Sequence, residues 1–328
     1  MPQNKFDQNY PFCLFRIPKD GGRVIWEITN QCNYRCPYCI FSSTAVKPQN
    51  ELNTARMKSV IDELHDLGFS HFKVSGGEPF IRKDLLEVLA HAKSKGFYID
   101  LSSNASLITE ERAAGLKNIG VDMVHVSLDG HTKELQEAAR GSGTFEPTIR
   151  GIKYLVKNGL YVRTGCLIFN KNDKSMEEIA RFCAELHVNE IIFSLMEPVG
   201  RLKGDNSMMT ERLMGELMKE IEEIESKLKT QIKVSHSFTE KPGKDCSGIC
   251  PGTTKFLSID NFGRVSPCTW VAERASEYCS KNTLLSVSLK EILNEKEITE
   301  YKKLVQRFAD SGGGCPMRDI DAFQKIKK

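Results

Sequence analysis

The sequence predicts an α/β protein in which a partial barrel of six strand–helix units precedes a small cysteine-rich domain. Three observations lead to this prediction. A β-branched run at 24–29 is followed at once by three closely spaced cysteines. Five more strand patterns then alternate with helical stripes of apolar residues. From Lys241 the composition shifts to Gly, Pro, Cys and Ser, which indicates a domain boundary.

The helix and strand patterns follow one another with a glycine at most helix ends. Residues 54–67 carry an apolar stripe at helical spacing, Gly68 supplies a left-handed cap, and a strand follows at 69–74. Further helix–strand pairs are predicted at 84–95 and 97–101, 109–119 and 121–126, 146–158 and 160–168, and 175–187 and 190–195. Strands separated by helices pair in parallel through right-handed crossovers. Because a complete eightfold barrel takes about 250 residues, the region from 23 to 236 predicts a partial barrel.

The remaining boundaries follow from pattern and composition. We expect an N-terminal extension at 1–22, the barrel at 23–236 and the cysteine-rich domain at 237–328, with a helix over 208–229 packing against the barrel. A net charge of +3 is too small to indicate nucleic-acid binding. No run reaches the roughly 20 apolar residues of a membrane span. The N-terminus lacks a signal-peptide pattern, and eleven cysteines then favour a reducing, cytoplasmic location.

The most informative motif is the cysteine triplet after the first strand. Cys32, Cys36 and Cys39 are spaced C-x3-C-x2-C, with Tyr38 immediately before the last. Three thiolates this close can hold three irons of a [4Fe–4S] cube and leave the fourth iron open to an external ligand. A redox dithiol and half of a zinc site are the alternatives for a CxxC pair, and the third cysteine fits them poorly.

This C-x3-C-x-aromatic-C loop resembles the signature of the radical S-adenosylmethionine (SAM) superfamily. The resemblance implies a partial barrel of that family's type, with a cluster at the triplet whose open iron binds SAM. It also implies an electron from a low-potential donor such as flavodoxin or ferredoxin. SAM would be cleaved to a 5′-deoxyadenosyl radical that abstracts hydrogen from an unactivated C–H.

Candidate SAM-binding residues follow successive predicted strands. Gly76-Gly77-Glu78-Pro79 resembles the family's motif for the SAM amino group, where glycines let the backbone approach a ligand. The rest of the cofactor-binding set consists of Tyr38, Ser102, Asn104, Ser127, Asp129 and Arg140. The fork of Arg140 suits a carboxylate. For the Ser, Asn and Asp residues, turn and cap chemistry is the alternative.

Glu197 and Arg201 lie just past the sixth predicted strand. This position makes them candidates for substrate contact or proton transfer. A surface ion pair is the alternative, and the sequence does not rank the two.

The C-terminal cysteines resemble the SPASM/twitch extension of radical SAM proteins, which carries auxiliary iron–sulfur clusters. Cys250, Cys268 and Cys315 are the predicted ligands of one auxiliary [4Fe–4S] cluster, because a CxxC group expected after Cys268 in full SPASM domains is missing. Cys246 and Cys279 are candidates for the fourth ligand, beside a non-cysteine group or the substrate. A structural zinc site is the alternative.

The resemblance favours a small-metabolite substrate, such as a sugar, an aminocyclitol or a cofactor precursor. The reason is that the 22 residues before the first strand are too few for the leader-binding domain of many peptide maturases. A maturase of a ribosomally made peptide or protein is the alternative within the family. From another class, a non-catalytic zinc or iron–sulfur scaffold would not need polar residues after four successive strands.

Overall fold

The computed structural model describes residues 17–237, 250–312, 315–317 and 320–327. The predicted helices and strands alternate as expected from the first strand to the sixth. The strands of this part are β1 (Gly22–Glu27), β2 (Phe69–Ser75), β3 (Tyr98–Ser103), β4 (Met123–Ser127), β5 (Val162–Ile168) and β6 (Glu190–Leu195). The helices are α1 (Thr54–Asp66), α2 (Leu85–Ser94), α3 (Glu110–Ile119), α4 (Lys133–Arg140), α5 (Phe145–Lys157), α6 (Met176–Glu185) and α7 (Met214–Leu228). The fold is therefore α/β with a partial barrel, as the sequence predicted.

The sheet extends beyond the six predicted strands at both edges. β7 (Lys233–His236) pairs in parallel with β6. β8 (Phe256–Ile259) pairs in parallel with β1, and β9 (Val265–Ser266) runs antiparallel to β8. The strand order among the described residues is β7-β6-β5-β4-β3-β2-β1-β8-β9. Residues 260–264 connect β8 and β9 as a hairpin, and the sequence did not predict that β8 would continue the barrel sheet.

Helices α1 and α3 begin and end within a residue of the prediction, whereas α7 begins at Met214, six residues after the predicted start, and α4 was not predicted. The Asn53 side chain accepts a hydrogen bond from the Arg56 N–H at the start of α1, and Thr109 caps α3 in the same way. Gly68 and Gly120 adopt φ values of 81° and 82° after helices α1 and α3. This left-handed backbone favours glycine, so each helix stops and the chain turns directly into the next strand.

One face of the sheet packs against the helices and forms the main apolar core. Val24, Trp26, Val74 and Leu101 point to this face and are almost completely buried. Helices α1, α2, α3, α5, α6 and α7 place their own apolar stripes against it. The opposite, inner face of the partial barrel carries polar side chains that are partly exposed.

The C-terminal region adds four helices and a second apolar cluster. These are α8 (Thr269–Arg274), α9 (Leu289–Ile292), α10 (Lys296–Asp310) and α11 (Ile320–Lys327). Tyr301, Phe308 and Phe323 pack ring against ring at centroid distances of 5.5 and 6.0 Å, with Tyr278 beside them. In the described part of the chain no helix is long and apolar enough to cross a membrane.

Candidate functional site

The cysteine triplet lies in a loop that starts where β1 ends and closes on itself. Main-chain bonds run from the Cys32 N–H to the Thr44 carbonyl (2.8 Å) and from the Thr44 N–H to the Asn30 carbonyl (3.1 Å). Cys32, Cys36 and Cys39 are all partly buried and lie near enough for their charges to interact. Since the loop follows β1, which pairs in parallel with β2 and β8, it lies at the carboxyl edge of the parallel strands, where ligands bind in such folds.

Gly76 and Gly77 pack directly against the start of this loop. A Cβ on Gly76 would lie 2.3 Å from the Thr29 carbonyl oxygen, and one on Gly77 would lie 2.1 Å from that of Gln31. The Gly77 N–H donates to the Thr29 carbonyl at 2.7 Å. The two glycines therefore allow close contact between two protein loops. The sequence predicts instead that they let the backbone approach a ligand.

Glu78 is completely buried and its described partners are protein groups. Its carboxylate accepts hydrogen bonds from the Phe80 N–H, the Ser103 hydroxyl and the Asn104 N–H at 2.8 to 3.1 Å. Burial raises the pKa of Glu78 to about 7 against the opposing effect of these bonds. Pro79 opens a single 3₁₀ turn beside it. Glu78 thus links the ends of β2 and β3, and its contact with an ammonium group stays a prediction.

Tyr38, Asp129 and Arg140 meet beneath the cysteine loop. Asp129 is fully buried, accepts a hydrogen bond from the Tyr38 hydroxyl, and lies 2.8 Å from Arg140 Nε. The Arg140 guanidinium also stacks 5.4 Å from the Tyr38 ring centroid. The Arg140 carbonyl oxygen lies 3.9 Å from Cys36 Sγ. Three residues predicted from separate motifs therefore form one contact group at the loop.

Ser102, Asn104 and Ser127 lie at the ends of β3 and β4, as predicted. The Asn104 side-chain amide donates to the Asn33 side chain at 2.9 Å and lies 4.0 Å from Cys32 Sγ. Ser102 and Ser127 are partly exposed on the inner face. Asn104 is therefore directly beside the cysteine loop, and the two serines line the space next to it.

Arg201 and Glu197 have partners that the sequence did not predict. The Arg201 guanidinium donates to the carbonyls of Cys36 and Ser43, and its main-chain N–H donates to the Cys39 carbonyl at 3.0 Å. Glu197 forms a half-exposed ion pair with Arg274 at 2.7 Å. These contacts favour the alternative of a surface ion pair for Glu197. They give Arg201 a supporting role for the loop, and its contact with substrate or part in proton transfer stays a prediction.

The donor set of the loop fits an iron–sulfur cluster. The pKa of Cys32 is raised to about 12, mainly by burial and also by the charges of Glu78, Cys36 and Cys39. Burial also raises the pKa of Cys36, although the positive charge of Arg140 opposes the rise. A buried thiol with a raised pKa ionises readily only when a bound cation compensates its charge. Three thiols from one loop suit a metal cluster better than a free redox dithiol.

The C-terminal cysteines Cys250, Cys268 and Cys315 converge on Tyr301. The Cys250 Sγ lies 3.4 Å from the Tyr301 hydroxyl, and the charges of all three cysteines add to burial in raising the Tyr301 pKa. Cys279 is buried beside Tyr278: burial raises its pKa to about 11, and its charged neighbours are Arg264, Asp260 and Glu277. Its role as fourth ligand stays a prediction, and Cys246 lies outside the described residues.

Sequence reasoning missed a set of charged side chains on the inner face of the sheet. They include Arg23, Lys73, Asp100, Arg163 and Glu190, one from each of five strands. The signal was present in the sequence, because each of these charged residues lies next to an apolar residue of its strand. Since successive side chains of a strand point to opposite faces, this alternation indicates one apolar and one polar face.

The comparisons with known proteins agree with this geometry. The family model "Radical SAM superfamily" matches residues 26–183. An Fe-coproporphyrin III synthase of Methanosarcina barkeri is 35% identical over 193 residues, which are 58% of this chain and 48% of that protein. An AdoMet-dependent heme synthase of the same organism is 29% identical over 76% of each chain. The mycofactocin maturase MftC of Mycobacterium tuberculosis is 32% identical over 51% of this chain and 44% of its own length.

Among solved structures, Streptococcus suis SuiB bound to S-adenosylmethionine superposes with a TM-score of 0.75. The sequence identity is 15%, and the match covers 93% of this chain and 75% of that chain. At this identity the likeness concerns the fold, including the C-terminal region. The chain spans about half the length of the first curated relatives that it matches.

A cysteine triplet at the carboxyl edge of a parallel partial barrel defines a class of iron–sulfur protein. Together with the matches, it identifies the family: this chain belongs to the radical SAM superfamily, and its homologues are enzymes of the SPASM type.

Proposed function

We propose that this protein is an enzyme that reductively cleaves SAM and abstracts hydrogen from a substrate C–H. The observation that carries the proposal is the three-cysteine loop, held at the sheet edge by Gly76, Gly77 and Arg201. Cys32, Cys36 and Cys39 would hold a [4Fe–4S] cluster. When bound, the cluster and SAM supply a 5′-deoxyadenosyl radical after one electron arrives from a donor such as flavodoxin or ferredoxin.

The residues around the loop have distinct roles in this proposal. Tyr38, buried against Asp129, orients the loop between its second and third cysteines. Arg140 places a positive charge beside Cys36, where the carboxylate of SAM would be attracted. Asn104 bonds to Asn33 and limits movement of the loop near Cys32. Ser102 and Ser127 offer hydroxyls toward the inner face, and Glu78 holds two strand ends in register.

We also propose one auxiliary [4Fe–4S] cluster at Cys250, Cys268 and Cys315. Its support is the convergence of the three side chains on Tyr301. Cys268 also packs against Ile25 and Phe256, two inner-face residues of β1 and β8. An auxiliary cluster there would border the interior of the partial barrel, and could exchange an electron with a substrate bound inside it.

For the substrate we propose a small metabolite, and the relatives favour a cofactor precursor over a sugar. Two of the relatives described above are named for tetrapyrrole chemistry, an Fe-coproporphyrin III synthase and an AdoMet-dependent heme synthase. A peptide substrate is the second candidate, favoured by the similarity to a mycofactocin maturase.

The test is SAM cleavage by the anaerobically reconstituted protein. With dithionite and SAM it should release 5′-deoxyadenosine, slowly even without substrate. Replacing Cys32, Cys36 and Cys39 together by Ala should abolish the release. Cys183→Ala, which alters a buried cysteine on α6, should not.

Release by the triple variant equal to that of the native protein would refute the cluster assignment. Zinc in place of iron after reconstitution would favour the non-catalytic scaffold.

A further inference from the structure

The inner face of the partial barrel carries charged side chains from several strands, beside a few apolar residues such as Ile25 and Phe256. Along β5, Val162, Thr164 and Cys166 are buried against the helices, whereas Arg163 and Gly165 face the inside and are partly exposed. Side chains alternate in the same way on the neighbouring strands. Parallel strands covered on both faces are normally apolar throughout. A polar inner face therefore indicates a surface that serves binding rather than packing.

Two charge groups lie on this face, and in each of them two cations share one carboxylate. In the first, Arg23 and Lys73 lie 3.1 and 3.0 Å from Asp100 Oδ2. Each cation is more than four-fifths buried, so the pair is little screened by solvent. This group carries a net charge of about +1 at neutral pH.

The second group is arranged alike around Glu190. Arg163 Nη2 lies 2.8 Å from Glu190 Oε2, and Lys233 Nζ lies 3.3 Å from Oε1. The hydroxyls of Tyr161 and Ser235 also donate to this carboxylate. Two cations again outnumber one anion, so the second group also carries about +1.

Other titratable groups on this face do not cancel the excess. Burial, and then the Lys73 charge, lower the pKa of His125 to about 3, so its imidazole is neutral. Burial and the charge of Asp260 raise the pKa of Glu27 to about 8, so this carboxyl is mostly protonated at neutral pH. His71 and Tyr98 stack on each other at the same face, at a centroid distance of 5.0 Å.

The face also retains unused hydrogen-bonding capacity. Arg163 Nε and His125 Nδ1 are buried, and neither has a hydrogen-bond partner within the described part of the chain. Buried polar groups are costly to leave unpaired, so such groups normally have a ligand or water as partner. The His125 ring fills the space above Gly165, where a Cβ would lie 2.2 Å from Nε2.

We propose that this inner face binds a substrate carrying two carboxylate groups, one at the Arg23–Lys73 group and one at the Arg163–Lys233 group. The inference rests on the proposed function, since it names the substrate class of the same active site. Asp100 lies on β3 and Arg163 on β5, two strand spacings apart, which is on the order of 10 Å. The two carboxylates of the ligand are therefore separated by a spacer, and a compact dianion fits less well.

The test is a calorimetric titration of the reconstituted protein with bound SAM, using suberate as the probe. Suberate has two carboxylates joined by a six-methylene chain, and octanoate has one on a chain of the same length. We expect suberate to bind about tenfold more tightly than octanoate, because its second carboxylate adds one charged hydrogen-bonded contact.

Lys73→Met and Arg163→Met should each reduce suberate affinity by about tenfold. In both variants the shared carboxylate keeps one cation, so the fold should persist, and thermal unfolding checks this. Lys58→Met is the matched control, because Lys58 pairs with Glu87 on the outer surface. The Lys58→Met variant should bind suberate with the affinity of the native protein.

The proposal is overturned if suberate binds no better than octanoate, or if both inner-face variants bind it as the native protein does. It is also overturned if malonate, a compact dicarboxylate, binds more tightly than suberate. Substrate-free release of 5′-deoxyadenosine is measured in the same preparations. If the native protein releases no 5′-deoxyadenosine, the proposed enzyme activity is refuted. The suberate affinities test the binding of two carboxylates independently of that outcome.

Discussion

The two cysteine groups of this protein are assembled in different ways. Cys32, Cys36 and Cys39 belong to one short loop that closes on itself through main-chain bonds to Thr44. Cys250, Cys268 and Cys315 come from three separate segments and meet only around Tyr301. The position of the first group is fixed by the edge of the sheet next to it. The position of the second group depends on a small apolar cluster, so loss of metal should destabilise the second group far more than the first.

Removal of one auxiliary cysteine is the sharpest way to test this difference. Cys268→Ala should retain about four of an expected eight irons per chain. It should still cleave SAM, but lose turnover of the true substrate. Because metal binding and folding are coupled in small metal-bearing modules, residues 250–317 should become more accessible to proteolysis while the barrel stays intact.

Cys183→Ala is the control for Cys268→Ala, since Cys183 is buried on α6 in the main core of the barrel. It should keep the full iron content. Equal iron in native protein and Cys268→Ala would contradict the auxiliary cluster, and about twelve irons in the native protein would indicate two auxiliary cubes.

The contact group beneath the first loop should be the most sensitive point of the barrel. Asp129→Ala leaves Arg140 as a buried charge without its ion-pair partner and removes the acceptor of the Tyr38 hydroxyl. We expect a loss of about 3–5 kcal/mol in the free energy of unfolding. Denaturant unfolding measures it, with Asp66→Ala at an exposed site as the control, expected within about 0.5 kcal/mol of native. A similar small change for Asp129→Ala would argue against this group as the anchor of the loop.

Arg201 offers a smaller and more local change to the first loop. Arg201→Met removes the guanidinium that donates to the Cys36 and Ser43 carbonyls, at a cost of about 2 kcal/mol. The loop should then open more often, and a chelator should remove the first cluster about tenfold faster. The rate of bleaching in visible absorption measures this. Lys203→Met, at an exposed neighbouring position, should bleach at the native rate.

Acid should affect the barrel through Asp100. Its burial alone would raise the pKa, but the charges of Lys73 and Arg23 outweigh burial and lower the pKa from 3.8 to about 2. Because the pKa of Asp100 is lower in the folded state, its ion pairs stabilise the fold above pH 4, and this stabilisation is lost as the pH falls toward 2. The contribution of Asp100 to the free energy of unfolding amounts to about 2 kcal/mol. Unfolding of the apoprotein between pH 5 and pH 2.5 should depend less on pH in Asp100→Asn, and an identical profile would contradict the pairing.

Local patterns predicted most of the barrel because its elements are close along the chain. The apolar stripe of α1, the left-handed Gly68 and the strand after it were all visible in consecutive residues. The cysteine triplet was visible for the same reason. Long-range pairing was not: the parallel pairing of β8 with β1 joins residues more than 230 positions apart, and no local pattern encodes it.

The sequence by itself determined the order of helices and strands, the family and the first set of cysteines, because each depends on neighbouring residues. Only the tertiary structure decided what those residues touch. It showed that Gly76 and Gly77 pack against the loop, that Arg201 supports the loop, and that Cys250, Cys268 and Cys315 lie around Tyr301. It also separated the two faces of the sheet. Side-chain direction and contacts across distant segments arise from packing in three dimensions, which no short stretch of sequence specifies.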